Sequence, residues 1–575
     1  MMLATKPNNK TVKEFPSMYK NYNTAQTSIA LNLNFDIPNN HIARLIDMFV
    51  ETIPHNIIET SVATTGRPAY HPAMLIKMLL FAYSRKVFSG RRIVEMNTEN
   101  IPMKWLSQDA TISYKTINNF RSSKEVSNLI KISFIYFTKL LADNGMIEDE
   151  ALFIDGTKIE ADANKYSFTW KRAVDKFYPK LKEKIVLLYE ELIENQVVKE
   201  MEKEYLTSSD GLAEILEKTH DEITHLDYVI EQEPKVIKGG SKNKQQRRKL
   251  KKLAHKMEND YLPRAKKYEE AERLFNGRNS FSKTDHDATF MRMKEDPMMN
   301  GQLKPGYNLQ AATNGQFVLN YGIFSNPTDT RTLLPFLSDM HSLDLFKYIV
   351  ADAGYGSESN YSAIVDDFDK TPLIPYGMYE KEQKRKFKND PTRIHNWKYN
   401  AADDYYTDHL SVKFSFKRYS IRHDKYGYER QFKIYEADKT QETFKLDELA
   451  KTPKGRQRQV AYNPTWNYFK NYVKDLLSSD QGSEIYSHRK YDVEPMFGRM
   501  KSIFGVRRTH LRGKQPVENE LGILLMTMNL TKLAGILTKA TANFSHKQLS
   551  NIKKTKNRPK ILLIIEFLVD FSIAG

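Results

Sequence analysis

Apolar residues recur with the period of an α-helix from about residue 35 to residue 145. One predicted helix has Pro72 in its first turn and buries a stripe made of Leu75, Ile76, Leu79, Leu80 and Ala82. Ser89 can cap the next helix, which carries Arg91 and Arg92, and a third helical piece spans 115–121. Short helices of this kind are typical of a helix-turn-helix-like DNA reader and equally of a plain helical bundle.

The pattern changes to that of strands at residue 151. The run 151–155 is apolar and ends in Asp155, and the strand pattern resumes at 158 after a predicted turn at Gly156. A hairpin around Asn314-Gly315 is predicted next, then a helix over 330–341 and a strand over 346–352 that ends in Asp352. A helix capped by Ser357 and a strand over 373–377 complete the order β-β-β-α-β-α-β. That order predicts an α/β fold with an RNase H-like core.

Two stretches do not fit this core, and both are predicted insertions. Residues of about 165–275 are charged and helical, with a 4-3-4 apolar spacing typical of a coiled-coil-like hairpin at Leu181, Ile185, Leu188 and Leu192. Within this stretch, the basic segment 238–252 is interpreted either as a DNA contact or as a solvated hinge. Residues of about 380–460 alternate like strands, with a turn at 425–427, and helices resume from about 465 to 540.

The predicted division is therefore an N-terminal extension (1–34), an all-helical DNA-binding domain (35–145), an interrupted α/β catalytic domain (150–540) and a basic, apolar tail (541–575).

Charge and composition narrow the classes of function. The chain has 88 Lys and Arg against 71 acids, a net charge of +17, which suits a polyanionic partner or simply a basic soluble protein. Cysteine is absent, which excludes disulfides, thiolate metal sites and a cysteine nucleophile. The N-terminus lacks a signal-like apolar region, and no stretch approaches the ~20 apolar residues that span a bilayer. We therefore expect a cytoplasmic protein without a membrane partner.

Three acids stand out by position. Asp155 and Asp352 end predicted strands, and Glu494 is predicted to begin a helix with Pro495 in its first turn. Lys501 follows seven residues later on the same predicted helix face. Carboxylate oxygens suit Mg²⁺ or Mn²⁺, and two such ions can assist in-line attack of water or a 3′-hydroxyl on a phosphodiester. Taken singly, any of these acids could end a strand without a catalytic role.

The chain resembles the DDE transposases of bacterial insertion sequences, in the branch with an InsH-type helical N-terminal domain and an interrupted RNase H-like core. The segments that carry the resemblance are Phe153–Ala161, Asp285–Thr289, Pro305–Gln310, Ala351–Gly356, Val493–Gly498, Leu511–Gly513 and Asn529–Lys532. It implies that Asp155, Asp352 and Glu494 are the catalytic triad and hold two Mg²⁺ or Mn²⁺ ions. It also implies that Arg489 and Lys501 contact the DNA backbone near the glutamate.

The remaining predicted DNA contacts are Arg91, Arg92, Arg121 and Arg512. The expected partners are double-stranded DNA, as terminal inverted repeats and target, and a second copy of the chain in a synaptic complex, close to the nucleoid.

The resemblance is not complete. Four residues, not three, separate Arg489 from Glu494, so the sequence leaves the roles of Tyr486 and Arg489 open. Many relatives carry a cysteine cluster in the β-rich insertion, and this chain has none, so zinc is not expected there. Two alternatives remain at this point: another RNase H-like nuclease, or a DNA-binding protein derived from an inactive transposase. The presence of all three acids favours the enzyme.

Overall fold

The computed structural model describes residues 36–58, 69–234, 241–293 and 301–543. The predicted N-terminal extension and the apolar run at 561–571 lie outside these residues, as does the start of the basic segment at 238–240.

The described part of the chain begins with seven helices: α1 (Ile42–Glu51), α2 (His55–Ile58), α3 (Pro72–Ser84), α4 (Gly90–Glu99), α5 (Ile101–Ser107), α6 (Tyr114–Arg121) and α7 (Lys124–Asp143). Local signals define their starts. Pro72 occupies the first turn of α3, and the hydroxyl of Ser113 accepts the Thr116 amide at 3.2 Å to begin α6. Ser89 stands at the start of α4 as predicted, but its side chain makes no capping bond. The predicted apolar stripe of α3 is buried, together with most of the rest of that helix.

A six-stranded mixed sheet follows, built from β1 (Ala151–Glu160), β4 (Thr289–Arg292), β5 (Leu303–Asn314), β6 (Phe317–Phe324), β7 (Tyr348–Val350) and β8 (Thr371–Leu373). The strand order is β4-β5-β1-β7-β8, and β6 also pairs with β5. β1 is antiparallel to β5 and parallel to β7, and β7 is parallel to β8. Helices α13 (Leu333–Ser338) and α14 (Glu358–Ser362) connect the last three strands, which confirms the predicted order of elements. β4 was not predicted.

Two local predictions in the sheet need correction. Gly156 does not form a turn, because β1 continues through it without a break. A Cβ atom at Gly156 would lie 2.3 Å from the side-chain nitrogen of Gln310, so the close packing of β5 is what requires glycine there. The predicted hairpin is present, but its two turn residues are Gly315 and Gln316, both with positive φ. Asn314 instead donates to the carbonyls of Glu148 and Ala151 at 2.8 Å each.

Two further bodies are attached to this sheet. Short strands β2 (Phe168–Trp170) and β3 (Ser280–Ser282) pair with each other and flank the helices α8 (Lys171–Glu194), α9 (Lys203–Leu206), α10 (Ser209–Gln232), α11 (Lys242–Lys256) and α12 (Leu262–Phe275). This helical segment has an apolar core of its own, which contains the four leucine and isoleucine side chains of the predicted 4-3-4 seam. A π-helical turn, Met257–Tyr261, joins α11 to α12.

The second body is an antiparallel sheet of β9 (Lys398–Asn400), β10 (Tyr405–Thr407), β11 (Lys413–His423), β12 (Glu429–Ala437) and β13 (Gln459–Tyr462). It is preceded by the short helices α15 (Tyr379–Gln383) and α16 (Arg385–Lys388), and α17 (Phe444–Leu449) lies between its last two strands. The β11–β12 turn lies at the predicted place around 425–427.

The last described elements are three long helices, α18 (Pro464–Ser478), α19 (Asp480–Gly498) and α20 (Lys514–Asn543). α20 packs against α3, α7 and β6, and one continuous apolar core contains the N-terminal helices, the six-stranded sheet and α20. The proposed boundary near residue 145 therefore does not separate two cores.

Within α20, residues 514–539 are long and apolar enough to cross a membrane by length and composition, although the sequence had suggested no such stretch. Most of this helix is buried inside the molecule, as core helices of soluble proteins are.

Candidate active site

Asp155 lies within β1, and Asp352 lies two residues after the end of β7, the neighbouring parallel strand. β1 and β7 pair with Phe153 beside Val350, and each aspartate lies two residues beyond that pair. Both carboxylates raise the pKa of the Tyr355 hydroxyl, so both lie near this side chain. Asp155 is 8% exposed, and its Oδ1 accepts the Gly156 amide at 2.7 Å. Asp352 is half-buried, and its Oδ1 accepts the Gly354 amide at 2.9 Å.

A third aspartate, Asp329, lies in the connection between β6 and α13, beside Gly156 and Gly354. Its Oδ1 accepts hydrogen bonds from Asn308 at 2.8 Å and from Gln310 at 3.1 Å, both side chains of β5. The fully buried Gln310 in turn accepts a hydrogen bond from the hydroxyl of Tyr355. Burial and the nearby carboxylates of Asp329, Asp155 and Asp352 raise the pKa of the Tyr355 hydroxyl. The Tyr355 hydroxyl is therefore neutral and donates a hydrogen bond to Gln310, and the three aspartates lie near it.

Asp329 is a residue of this polar cluster that no sequence pattern singled out, whereas Gln310 and Tyr355 stand in the segments Pro305–Gln310 and Ala351–Gly356 that carry the family resemblance. The pattern around Asp329 is only that of an acid before a helix, and Gln310 has the spacing of an ordinary buried strand residue. Their role depends on β5 pairing with β1, which is a long-range contact that no local signal encodes.

Glu494 lies on α19, in a position that corrects the sequence prediction. The helix begins at Asp480, so Glu494 and Pro495 lie near its end and not in its first turn. A proline inside a helix removes the hydrogen bond to the carbonyl four residues earlier. Here that carbonyl belongs to Tyr491, and it accepts a hydrogen bond from Gln316 Nε2 of the β5–β6 hairpin at 2.9 Å. The hairpin therefore compensates for the proline next to Glu494.

Arg489 connects the helix to the sheet. One terminal nitrogen lies 4.0 Å from Asp155 Oδ2 and the other lies 3.7 Å from Glu494 Oε1. The arginine side chain is only 14% exposed, whereas that of Glu494 is 55% exposed. The Nε of Arg489 is buried and has no hydrogen-bond partner. The extra residue between Arg489 and Glu494 does not prevent the arginine from reaching both acids.

Tyr486, one helical turn before Arg489, completes the link to Asp352. Burial raises the pKa of its hydroxyl, the positive charge of Arg489 lowers it, and the negative charge of Asp352 raises it. Its hydroxyl therefore lies within electrostatic reach of both residues. The structure thus brings Asp155, Asp352, Glu494, Arg489 and Tyr486 to one place.

The donor set of this site fits a hard divalent cation in its chemistry, because it consists of carboxylates with no thiol or imidazole. Within residues 36–58, 69–234, 241–293 and 301–543, no three acid or histidine side chains lie close enough together to hold a metal ion. The guanidinium of Arg489 lies between Asp155 and Glu494 and provides positive charge there. Asp155 and Glu494 thus lie on either side of a guanidinium, and the three predicted acids do not form a metal-ligand cluster in this structure.

The other predicted basic residues fall in different surroundings. Lys501 is half-buried in a π-helical turn, Arg499–Ile503, that directly follows α19. Arg512 is exposed on the connection to α20, where its Nε donates to Asp162 Oδ2 at 3.0 Å. Arg508 donates to the same aspartate at 3.0 Å. Arg512 is therefore held by Asp162, two residues after β1, and its side chain is still exposed to solvent.

In the N-terminal helices, Arg91 and Arg92 are exposed on α4, and Arg91 lies 5.0 Å from the centre of the Tyr114 ring. Arg121 is different, because it is 5% exposed and donates to the Phe88 carbonyl at 2.6 Å. The prediction that Arg121 contacts DNA is therefore wrong for this structure. Its guanidinium is buried among the N-terminal helices, where it donates a hydrogen bond to a backbone carbonyl.

Some of the sequence segments that carry the resemblance lie outside the carboxylate site and hold α20 in place. Asp285 and Asp287 accept the amides of Gly513 and Lys514 at 3.2 and 2.8 Å, and so fix the start of α20. Asn529 donates to and accepts from the backbone of Val318, which attaches α20 to β6. These contacts give the segments a structural role in attaching α20 to the sheet and to the chain before β4.

Two family models match the chain. The one described as Transposase DDE domain covers residues 278–530, which include Asp352, Arg489 and Glu494 and begin after Asp155. The one described as Transposase domain (DUF772) covers residues 31–123, which include Arg91 and Arg92. Helices α8 to α12 fall outside both matches. No curated protein and no solved structure matches the chain.

Proposed function

The chain belongs to the DDE transposases, and we propose on that basis that Asp155, Asp352 and Glu494 are its catalytic carboxylates. The observation that supports this most directly is that Asp155 and Asp352 both lie near Tyr355, with Glu494 joined to Asp155 through Arg489. Arg489 and Tyr486 are positioning residues in this proposal. Asp329 adds a fourth negative charge and orients Gln310 and Tyr355.

The reaction is an in-line displacement at phosphorus, without a covalent enzyme intermediate. In cleavage, water forms a new P–O bond and loses a proton, and the bond to the 3′ oxygen breaks to leave a 3′-hydroxyl. In strand transfer, that 3′-hydroxyl attacks a target phosphodiester, so one phosphodiester forms as another breaks. Two divalent ions, Mg²⁺ or Mn²⁺, would be held by the three carboxylates and would supply charge stabilisation at the attacking and leaving oxygens.

We assign the remaining parts of the chain accordingly. The six-stranded sheet with α13, α14 and α19 would be an RNase H-like core, and the helical segment and the second sheet would be insertions into it. The N-terminal helices with Arg91 and Arg92, supported by Arg512 and Lys501, would bind the terminal inverted repeats. Two copies would pair the ends in a synaptic complex, in the cytoplasm at the nucleoid.

Neutral substitutions of the three acids test the proposal. Asp155→Asn, Asp352→Asn and Glu494→Gln keep the side-chain shape but remove a charge that attracts the metal. Loss of one such ligand should cost several kcal/mol of transition-state stabilisation, and each ~1.4 kcal/mol is tenfold in rate. Cleavage of labelled end DNA in Mg²⁺ or Mn²⁺ should fall by orders of magnitude, whereas binding in a gel-shift assay should persist.

Glu484→Gln is the matched control, since Glu484 is an exposed acid on the same helix as Glu494. It should cleave like the unmodified protein. Ca²⁺ should support DNA binding with little cleavage, because its looser coordination fits the reactive geometry poorly. A neutral variant that cleaves at nearly the original rate would remove that residue from the triad.

A further inference from the structure

Helix α11 is unusually basic. It carries eight lysine or arginine side chains in fifteen residues and no acid, in the sequence KNKQQRRKLKKLAHK. It belongs to the helical segment, which neither family model covers. Its buried side chains are Leu250, Leu253 and Ala254, which pack into the core of that segment.

The cations on the two flanks of this buried face are paired with acids. Arg247 and Lys251 both contact Asp227 of α10, and Lys249 contacts Glu191 of α8 at 3.1 Å. These three side chains serve the packing of the helical segment, because each bridges α11 to a neighbouring helix.

Four other cations form a second set, which we call the α11 row: Lys244, Arg248, Lys252 and Lys256. They follow one another at intervals of four residues, so they lie along one side of the helix. At 100° per residue this side is opposite the buried face, and all but the half-buried Lys244 are exposed.

No ion pair is found for any member of the α11 row in the part of the chain that the structure describes. Lys256 alone has another contact, a Tyr261 ring centre at 5.2 Å. Like charges four residues apart destabilise a helix, so the row does not serve the stability of α11 itself.

We propose that the α11 row binds the phosphate backbone of duplex DNA, as a contact separate from the N-terminal helices. The inference rests on the proposed function, because that function makes DNA the polyanion the protein handles. The row spans about 18 Å along a rigid helix, and duplex DNA presents one negative charge per about 1.7 Å of its axis. Phosphate contacts carry no sequence information, so this surface binds end DNA and unrelated DNA alike.

The test uses the full chain with a random-sequence duplex in EDTA, so that binding is measured without cleavage. In the row variant, K244Q/R248Q/K252Q/K256Q, each cation becomes neutral. The matched control is R172Q/K176Q/K180Q/K184Q, which removes four exposed cations with the same four-residue spacing from α8. The control row has Asp175 and Glu183 on or beside it, so its net field is weaker. Circular dichroism checks that both variants fold.

Binding is measured by fluorescence anisotropy as a function of salt. The row variant should lower the slope of log K against log salt by about 0.9 for each lost phosphate contact, up to about 3.6 for four. The α8 control should change this slope by less than about 0.9, the value expected for a single phosphate contact. The same loss should appear with end DNA and with random DNA.

An unchanged slope in the row variant overturns the proposal, and so does an equal loss in the α8 control. A loss confined to end DNA also overturns it, since backbone contact is independent of sequence. Failure of the catalytic proposal is recognised separately: the protein would not cleave end DNA in Mg²⁺, while the effect of the row on binding in EDTA would remain.

Discussion

Arg489 and Asp329 bring opposite charges to the same carboxylates. The arginine is within 4.0 Å of both Asp155 and Glu494, whereas Asp329 faces Gln310 and Tyr355 beside Asp155 and Asp352. In a partly buried site such charges interact over several ångströms. Each should therefore change the affinity for divalent cations, in opposite directions.

We predict that Arg489→Gln binds divalent ions more tightly but turns over at least tenfold more slowly. Removing the guanidinium leaves more negative charge for a cation, but the helix loses its link to Asp155. Arg489→Lys should recover only part of the activity. A lysine ammonium is a compact point charge, whereas the planar guanidinium can contact two acids at once. The measurement is cleavage as a function of Mg²⁺ concentration. A midpoint equal to that of the unmodified protein would contradict the prediction.

For Asp329→Asn we predict the opposite effect on metal affinity. Half-maximal cleavage should need a higher Mg²⁺ concentration, and cleavage should be slower. The asparagine oxygen can still accept from Asn308 and Gln310, so the fold should persist and the melting temperature should change little. Asp344→Asn, which neutralises an exposed acid further along the chain, is the control. If both variants have the same Mg²⁺ midpoint, Asp329 contributes only to structure.

At the scale of the element, α19 departs from regular helix geometry next to Glu494, which we propose as a catalytic residue. Pro495 removes one backbone hydrogen bond, Gln316 supplies another donor to Tyr491, and a π-helical turn follows at once. π-helical turns inside helices are frequent at functional sites. At this irregular end of α19, Glu494 lies near Arg489, which also contacts Asp155 of β1.

We predict that Pro495→Ala raises the free energy of unfolding by about 1–3 kcal/mol, because alanine restores the missing amide in a helix interior. Gln316→Ala should destabilise the original chain more than it destabilises the alanine variant, since the Tyr491 carbonyl then has another donor. Denaturant unfolding of the four combinations gives the coupling. Additive effects would show that the hairpin does not compensate for the proline.

At the scale of the whole molecule, the N-terminal helices, which we propose bind DNA, share one apolar core with the sheet that carries the proposed catalytic acids. α20 packs with the N-terminal helices on one side and with β6 on the other. The surface of α4 is therefore fixed relative to that sheet. On our proposal, a DNA end bound there would be held at a defined distance from the carboxylates.

We predict that Arg91→Gln and Arg92→Gln each lower the slope of log K against log salt for end DNA by about 0.9, as expected for one phosphate contact. Arg121→Gln should instead lower the melting temperature and leave the slope unchanged, because the buried guanidinium serves the Phe88 carbonyl. Gel-shift titrations of the full chain at several salt concentrations separate the two effects. A slope change in the Arg121 variant alone would reverse the assignment.

The sequence by itself determined most of the types of element and singled out the three acids that we propose as catalytic. Periodicity located most of the helices and strands, because burial of one face leaves a regular apolar pattern whatever lies opposite. The order of these strands along the chain and the place of Asp352 just after β7 were accessible for that reason, whereas Asp155, expected at a strand end, lies in the middle of β1. The positive charge of the chain and the hairpin near Gly315 were accessible as well.

Only the tertiary structure decided which residues meet. A local pattern does not specify which distant segment it will contact. The pairing of β5 with β1 could therefore not be inferred, nor could the contact of Arg489 with Asp155 or the hydrogen bond from Gln310 to Asp329. Pro495 was misplaced because a proline in a first turn and a compensated proline inside a helix look alike in sequence. Arg121 was misassigned because an arginine that neutralises a phosphate and one that satisfies a buried carbonyl differ only in what surrounds them.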